Sequence, residues 1–284
     1  MPELPEVETV ARGLHSQLLD ALIIDVQVLW ERTVDRPDVV AFCAGLVGAS
    51  VTEVTRRGKY ITTEFDTGRT LLTHLRMTGK LLLLSAQAAP QPVLQDDPHI
   101  RVRFDLKDGR LLVFSDTRKF GRMYLVDSPL EVVGELGPEP LSCGFTAERL
   151  GEMLTKRRGR IKPLLLNQHF VAGLGNIYSD EALWRARVHP LRTADTLTSD
   201  EVARLHEGIV SVLSEAIKDG GTSLRDQQYR QPDGGPGAYQ DLLAVYGRAG
   251  QNCPRCGAVI ARIVLAQRGT HLCPVCQVFQ IRSD

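Results

Sequence analysis

Four cysteines toward the C-terminal end of the chain have the spacing of a metal site. Cys253-Pro254-Arg255-Cys256 is followed, after sixteen intervening residues, by Cys273-Pro274-Val275-Cys276. Two such knuckles supply four thiolates to one tetrahedral Zn²⁺ and leave no open position on it. A closed ion folds and positions a segment and does not activate water; a zinc-free redox pair is the alternative for this spacing. At the other end lies Pro2, followed by Glu3 and Glu6. Chains with a small second residue commonly lose Met1, which would leave Pro2 with a free secondary amine. An α-amino group titrates near ~8, so part of it is neutral at physiological pH and can attack an electrophilic carbon to form an iminium. Glu3 and Glu6 are then candidates for proton transfer. The plain alternative is a chain start ahead of a helix.

These groups need elements to hold them. Pro5 suits the first turn of a helix, and Val7, Val10, Leu14 and Leu18 follow at helical spacing. Strand-like alternation appears at 24–28, 60–65, 70–75, 81–84, 100–106, 111–114 and 123–126, with a hairpin turn at Lys107-Asp108-Gly109-Arg110. A leading helix with many short strands predicts a β-sandwich with a helix packed on it. Three prolines between 128 and 142 read as a junction. Helical patterns follow at 146–154, 162–168, 179–187 and 199–218, the last with Val202, Leu205, Ile209, Val212, Leu213 and Ile217 on one stripe. Residues 226–240 are polar and rich in Gly and Pro, the composition of a mobile loop. Ribbon strands are expected at 259–265 and 270–272, joined by Gln267-Arg268-Gly269 with Arg268 exposed at the tip. The fold class is therefore α+β and multidomain. Residues 1–130 form a β-sandwich with its leading helix, 131–142 a linker, 143–240 a helical domain with its loop, and 241–284 a zinc ribbon.

Composition narrows the class. At 284 residues, 43% hydrophobic and 24% charged, the chain is an ordinary globular protein. No run approaches the ~18 apolar residues of a membrane helix, and the acidic opening lacks a signal-peptide layout, so a cytoplasmic location is expected. The 34 basic and 34 acidic residues cancel, yet acidic residues lead 21 to 17 in the first 150 positions and basic ones 17 to 13 thereafter. That bias permits a nucleic-acid surface without requiring one. Cys43 and Cys143, isolated among small or apolar neighbours, are expected to be buried or inert.

A series of motifs adds to this reading. Pro2-Glu3-Leu4-Pro5-Glu6-Val7-Glu8-Thr9-Val10 is followed by Arg57-Gly58-Lys59-Tyr60, His74-Leu75-Arg76-Met77-Thr78-Gly79, Asp116-Thr117-Arg118-Lys119-Phe120-Gly121 and Leu136-Gly-Pro-Glu-Pro140. Then come Ile161-Lys162-Pro163, Gly173-Leu174-Gly175-Asn176-Ile177-Tyr178, Gly220-Gly221-Thr222, Val245-Tyr246-Gly247-Arg248 and Gln267-Arg268-Gly269-Thr270 within the cysteine ribbon. In this order, over essentially the whole chain, they resemble bacterial formamidopyrimidine-DNA glycosylase, whose members remove oxidised purines such as 8-oxoguanine. The endonuclease VIII branch, with a preference for oxidised pyrimidines, resembles Pro-Glu-Gly-Pro-Glu at its start and lacks the Met–Arg–Phe set seen here. A non-catalytic zinc-ribbon DNA-binding protein is the alternative from another class, and the intact Pro2, Glu3 and Lys59 argue against it.

The resemblance implies a helix-two-turns-helix domain and a bifunctional glycosylase and abasic-site lyase acting through a Pro2 Schiff base. It implies Glu3 as the acid that assists sugar opening, and Lys59 and Arg268 as proton donors in β- and δ-elimination. It implies Met77, Arg118 and Phe120 as groups that fill the space left by an extruded base. His74, His99, Arg157, Lys162, Asn176 and Tyr246 match DNA-contacting positions, with Asn176 at a helix start where backbone N–H groups favour phosphate. One departure stands out: many family members carry His-x-His-Val where this chain has Asp97-Pro98-His99-Ile100. The expected cofactor is one structural Zn²⁺ and no organic group. The expected partner is double-stranded DNA with oxidised bases or abasic sites, bound by a monomer associated with the bacterial nucleoid.

Overall fold

The leading helix forms where the sequence supplies both a start signal and a buried stripe. In the computed structural model, which describes residues 1–84, 97–223, 229–232 and 234–279, helix α1 spans Leu4–Leu18 with Glu3 as N-cap and Pro5 in its first turn. The chain divides into two units, Met1–Glu135 with Asp219–Ala238, and Leu136–Lys218 with Tyr239–Asp284.

In the first unit, β2 (Val34–Arg36), β9 (Arg122–Val126), β5 (Thr70–His74), β4 (Tyr60–Phe65) and β3 (Val51–Arg57) form one sheet in that order. The other sheet runs β1 (Ile23–Val28), β7 (Ile100–Leu106), β8 (Leu111–Asp116), β6 (Gly79–Leu84). All pairings are antiparallel except β2 with β9. Leu81, Phe104 and Phe114 from one sheet, Ile61, Phe65 and Leu71 from the other, and Val10, Leu14 and Leu18 of α1 share one core. Phe104 and Phe114 are essentially sealed from solvent, and truncating either to Ala costs about 3–5 kcal/mol. The β-sandwich with its helix is as expected.

The elements that escape the sequence pattern include three in the sandwich. Helix α2 (Val39–Leu46) is apolar nearly all round and starts on the Asp38 side chain, which accepts a hydrogen bond from Ala41 N. Strand β3 hides its period because a register shift between Val51 and Glu53 puts the buried Val51 and Val54 three residues apart. Strand β2 is three residues long. The expected helical domain also ends differently, because residues 219–238 cluster with the sandwich. Thr222 N donates to Glu6 Oε1, Leu83 N donates to the Pro232 carbonyl, and Tyr229 is buried in the sandwich core. Of the loop expected at 226–240, residues 226–228 and 233 lie outside the described residues.

In the second unit, α3 (Ala147–Thr155), α4 (Ile161–Leu166), α5 (Asn176–Ala186) and α6 (Ser199–Lys218) surround Leu150, Leu154, Leu205, Ile209, Val212 and Leu213. The chain turns between α4 and α5, with Asn167 N bonded to Leu164 O and Phe170 N to Asn167 O. The ribbon strands β10 (Ala261–Leu265) and β11 (Arg268–Leu272) pair antiparallel. Their turn is Ala266-Gln267, both at positive φ, so Arg268 opens the second strand and does not sit in the turn. Among the described residues, no helix is long and apolar enough to cross a membrane.

Candidate functional site

Pro2 is buried, and Glu3 and Glu6 are 3% and 1% exposed. Glu6 Oε2 accepts the Glu3 N–H at 2.8 Å, and Oε1 accepts the Thr222 N–H at 2.7 Å. Gly221 makes the second contact possible: its φ is +82°, and a Cβ there would sit 2.9 Å from Glu6 Oε1. With a backbone donor on each oxygen, Glu6 holds Pro2-Glu3 against the 220–222 segment. The structure thus gives Glu6 a positioning role beside the nucleophile.

Lys59 occupies the two-residue turn after Gly58, between paired Arg57 and Tyr60, and is 5% exposed. On the neighbouring strand His74 faces Tyr60 edge to ring, with centroids 4.7 Å apart. Burial first, then the charges of Arg76 and Lys59, pull the His74 imidazole down to about 3. Its Nδ1 accepts the Arg76 N–H at 2.9 Å, so the neutral ring carries its proton on Nε2, the tautomer that can donate to an anion.

Two loops of the first unit carry the Met–Arg–Phe set. Met77 and Phe120 are 40% and 46% exposed, which excludes the core role that their types would otherwise suggest. Arg118 joins them: its Nη1 lies 3.1 Å from Met77 Sδ, and its guanidinium carbon lies 4.8 Å from the Phe120 centroid. Asp97 Oδ1 accepts the His99 N–H at 2.8 Å, so the departure from the family pattern makes a local turn, with His99 exposed beside it.

The second unit brings several matched residues to the ribbon. Lys162 is fully buried, its Nζ 2.6 Å from Asp180 Oδ1, and it donates to Thr270 Oγ1 at 2.8 Å and to the Gly269 carbonyl at 3.2 Å. A buried ammonium enclosed this way cannot meet a phosphate, so Lys162 fastens the ribbon and its expected DNA contact is withdrawn. Asp180 Oδ2 also accepts the His271 N–H at 2.9 Å. Gly175 is the N-cap of α5, and Asn176, next in sequence, donates from Nδ2 to the Gly269 carbonyl at 2.9 Å. Tyr246 stacks edge-on with His271, centroids 5.0 Å apart. Arg157 and Arg268 are exposed. Cys143 is exposed too, so the buried alternative fails for it, while Cys43 is half-buried.

The four ribbon thiols fit a metal ion. Their Sγ atoms all lie within 4.8 Å of one another, with Cys253–Cys276 at 3.9 Å and Cys256–Cys273 at 3.4 Å. Tetrahedral zinc with Zn–S near ~2.3 Å requires S···S separations of about 3.8 Å. Trp184 Nε1 of α5 lies 3.4 Å from Cys253 Sγ, and the Arg255 guanidinium covers its ring at 4.0 Å.

The chain matches three family models: the formamidopyrimidine-DNA glycosylase N-terminal domain over residues 1–123, its H2TH domain over 136–228, and the zinc finger found in FPG and IleRS over 250–278. The chain belongs to the formamidopyrimidine-DNA glycosylase family. The family's Roseiflexus sp. member is 49% identical over 280 residues, which is 98% of this chain and 100% of the relative. The solved complex of Lactococcus lactis Fpg with DNA containing an abasic site has a TM-score of 0.88 at 38% identity, covering 98% of this chain and 100% of that one. The same relative with Fapy-dG DNA gives 0.87 at 37%, with the same coverage. The family's zinc finger and the thiol geometry agree on one structural Zn²⁺ held by Cys253, Cys256, Cys273 and Cys276.

Sequence reasoning missed the family member's buried scaffold. Asp180 and Glu181 are each 1% exposed on α5. Glu181 accepts the Ala244, Val245 and Tyr246 N–H groups at 2.8–2.9 Å, and burial pushes its carboxyl up. Two adjacent acids on a helix read as a solvated face, so no signal marked them. Asp116 and Thr78 stood inside recognised motifs without a role.

Proposed function

We propose that this chain removes oxidised purines from double-stranded DNA and then cuts the strand at the resulting abasic site. After loss of Met1, the neutral Pro2 amine attacks C1′ of the lesion. The glycosidic bond breaks, the base leaves, and Glu3 protonates O4′ as the sugar ring opens to an iminium. Loss of a C2′ proton expels the 3′ phosphate, a second elimination expels the 5′ phosphate, and water releases the sugar fragment and restores the amine. Lys59, a primary amine, can give and take protons in these steps. Arg268 offers guanidinium N–H donors and positive charge to a departing phosphate oxygen.

The observation that carries this reading is the fixation of Pro2-Glu3. A nucleophile gains most from being held in attack geometry, and Glu6 ties the Glu3 backbone to Thr222 through two hydrogen bonds of 2.7–2.8 Å. Met77, Arg118 and Phe120 are then the groups that enter the duplex when the lesion leaves it. The zinc ribbon presents Arg268 and takes no part in bond making. Acting on chromosomal DNA as a monomer, the enzyme works in the bacterial cytoplasm, at the nucleoid.

Borohydride reduction tests this directly. The purified protein should begin at Pro2 by intact mass and should cross-link to DNA carrying 8-oxoguanine or an abasic site. A variant with an uncleaved N-terminal extension should not. Full strand cleavage by that blocked protein would rule out Pro2.

A further inference from the structure

Met77 and the Arg118–Phe120 turn come from loops about forty residues apart in sequence, and one buried carboxylate joins them. Asp116 is 1% exposed at the end of β8. Its Oδ1 accepts the Thr78 hydroxyl and, at 3.2 Å, the Arg118 N–H; its Oδ2 accepts the Gly121 N–H at 2.7 Å. Thr78 Oγ1 in turn accepts the Arg118 N–H at 3.1 Å, so the two loops share one hydrogen-bonded knot. A third segment is tied in through the main chain. Arg101, 5% exposed, donates from Nε to the Asp116 carbonyl at 2.8 Å and from Nη1 to the Pro98 carbonyl at 2.7 Å.

Both loops also hold a non-glycine residue in the left-handed region, Arg76 at φ +53° just before Met77, and Lys119 at φ +60° between Arg118 and Phe120. Such residues persist only where the surroundings over-determine them. Gly121 completes the knot, because a Cβ there would collide with the Phe114 ring and crowd Asp116 Oδ2 at 3.2 Å.

We propose that Asp116, acting with Thr78, is the positioning residue that makes Met77, Arg118 and Phe120 one rigid wedge, and so sets the rate of base extrusion. The proposal rests on the reading that these three groups fill the space of the extruded base. A wedge assembled in advance enters the stack without first ordering two loops, whereas a loosened one must order them in the extrusion step.

The test compares Asp116→Asn, Thr78→Val and Phe120→Ala on two substrates, duplex with a paired 8-oxoguanine and duplex with a ready-made abasic site. Removing a charge-assisted buried acceptor should slow excision of the paired lesion about ten- to a hundredfold. The fall on the abasic site should be several times smaller, since no base has to leave. Thr78→Ser, which keeps the hydroxyl, should recover most of the rate lost in Thr78→Val. The Thr78→Val/Asp116→Asn double variant should lose no more than the worse single one, as for partners in one network. Equal falls on both substrates would overturn the proposal, as would unimpaired excision by Thr78→Val or Asp116→Asn when Phe120→Ala is slow. Unimpaired excision by Phe120→Ala would instead overturn the reading of the wedge.

Discussion

Replacing Lys162 with Met separates a buried fastener from a phosphate contact. The Lys162 and Asp180 side chains are 1% and 0% exposed and 2.6 Å apart. Removing the cation leaves the carboxylate buried without its counter-charge, a change that costs about 3–5 kcal/mol. Asp180 Oδ2 keeps the His271 N–H, which places the expected loss near the lower end, about 3 kcal/mol. Against a typical total of about 5–15 kcal/mol, the variant should fold but unfold at clearly lower urea. The DNA side gives the opposite signature. A lysine on a phosphate contributes about 0.9 to the slope of log affinity against log salt. Lys162→Met should therefore leave that slope unchanged while its affinity falls through a loosened ribbon. Arg157→Ala, at an exposed position, should lower the slope by about 0.9 with no loss of stability. Urea denaturation followed by circular dichroism, and anisotropy titrations of a labelled duplex from about 50 to 200 mM salt, measure both quantities. Adding Asp180→Leu to Lys162→Met should return part of the stability, because the orphaned charge is gone. Normal stability of Lys162→Met together with a reduced salt slope would refute the buried assignment.

Two further outcomes follow from the geometry. Trp184→Phe keeps the ring under Arg255 but removes the N–H directed at Cys253, so a chelator should strip zinc about ten- to a hundredfold faster, as for other outer contacts to metal ligands; an unchanged release rate would exclude the contact. His74, with a folded value of about 3 against ~6.5 unfolded, is protonated first in the unfolded chain, so its stabilising effect is present above ~6.5 and lost as pH falls toward 3. Between pH 6.5 and 5 this amounts to about 2 kcal/mol, and His74→Gln should flatten the pH dependence of urea unfolding across that window.

How much of this was legible beforehand depended on whether a residue's role was local. Val10, Leu14 and Leu18 announced α1, and 100–106 announced β7, because one face of each repeats at the period of its element. Strand β3 did not, because its register shift breaks the alternation. The residues of 219–238 looked like an appendage of α6, since chain adjacency is all that a sequence offers. Lys162 was placed in the right region with the wrong task, and the hold of Glu6 on Thr222 was not foreseen. A carboxylate or ammonium in a one-dimensional chain carries no sign of which backbone groups will surround it.

The sequence by itself determined the metal site, the Pro2-Glu3 opening and the family, because C-x-x-C knuckles and contiguous motifs bring their groups together within a few residues. Only the tertiary structure decided which charged groups are exposed and which are enclosed. Exposure set apart Arg157 and Arg268, on the surface, from Lys162, whose charge is enclosed by Asp180 and Thr270. The physical reason is desolvation. A buried charge persists only where its partners are supplied in space, and Lys162 and Thr270 stand more than a hundred residues apart.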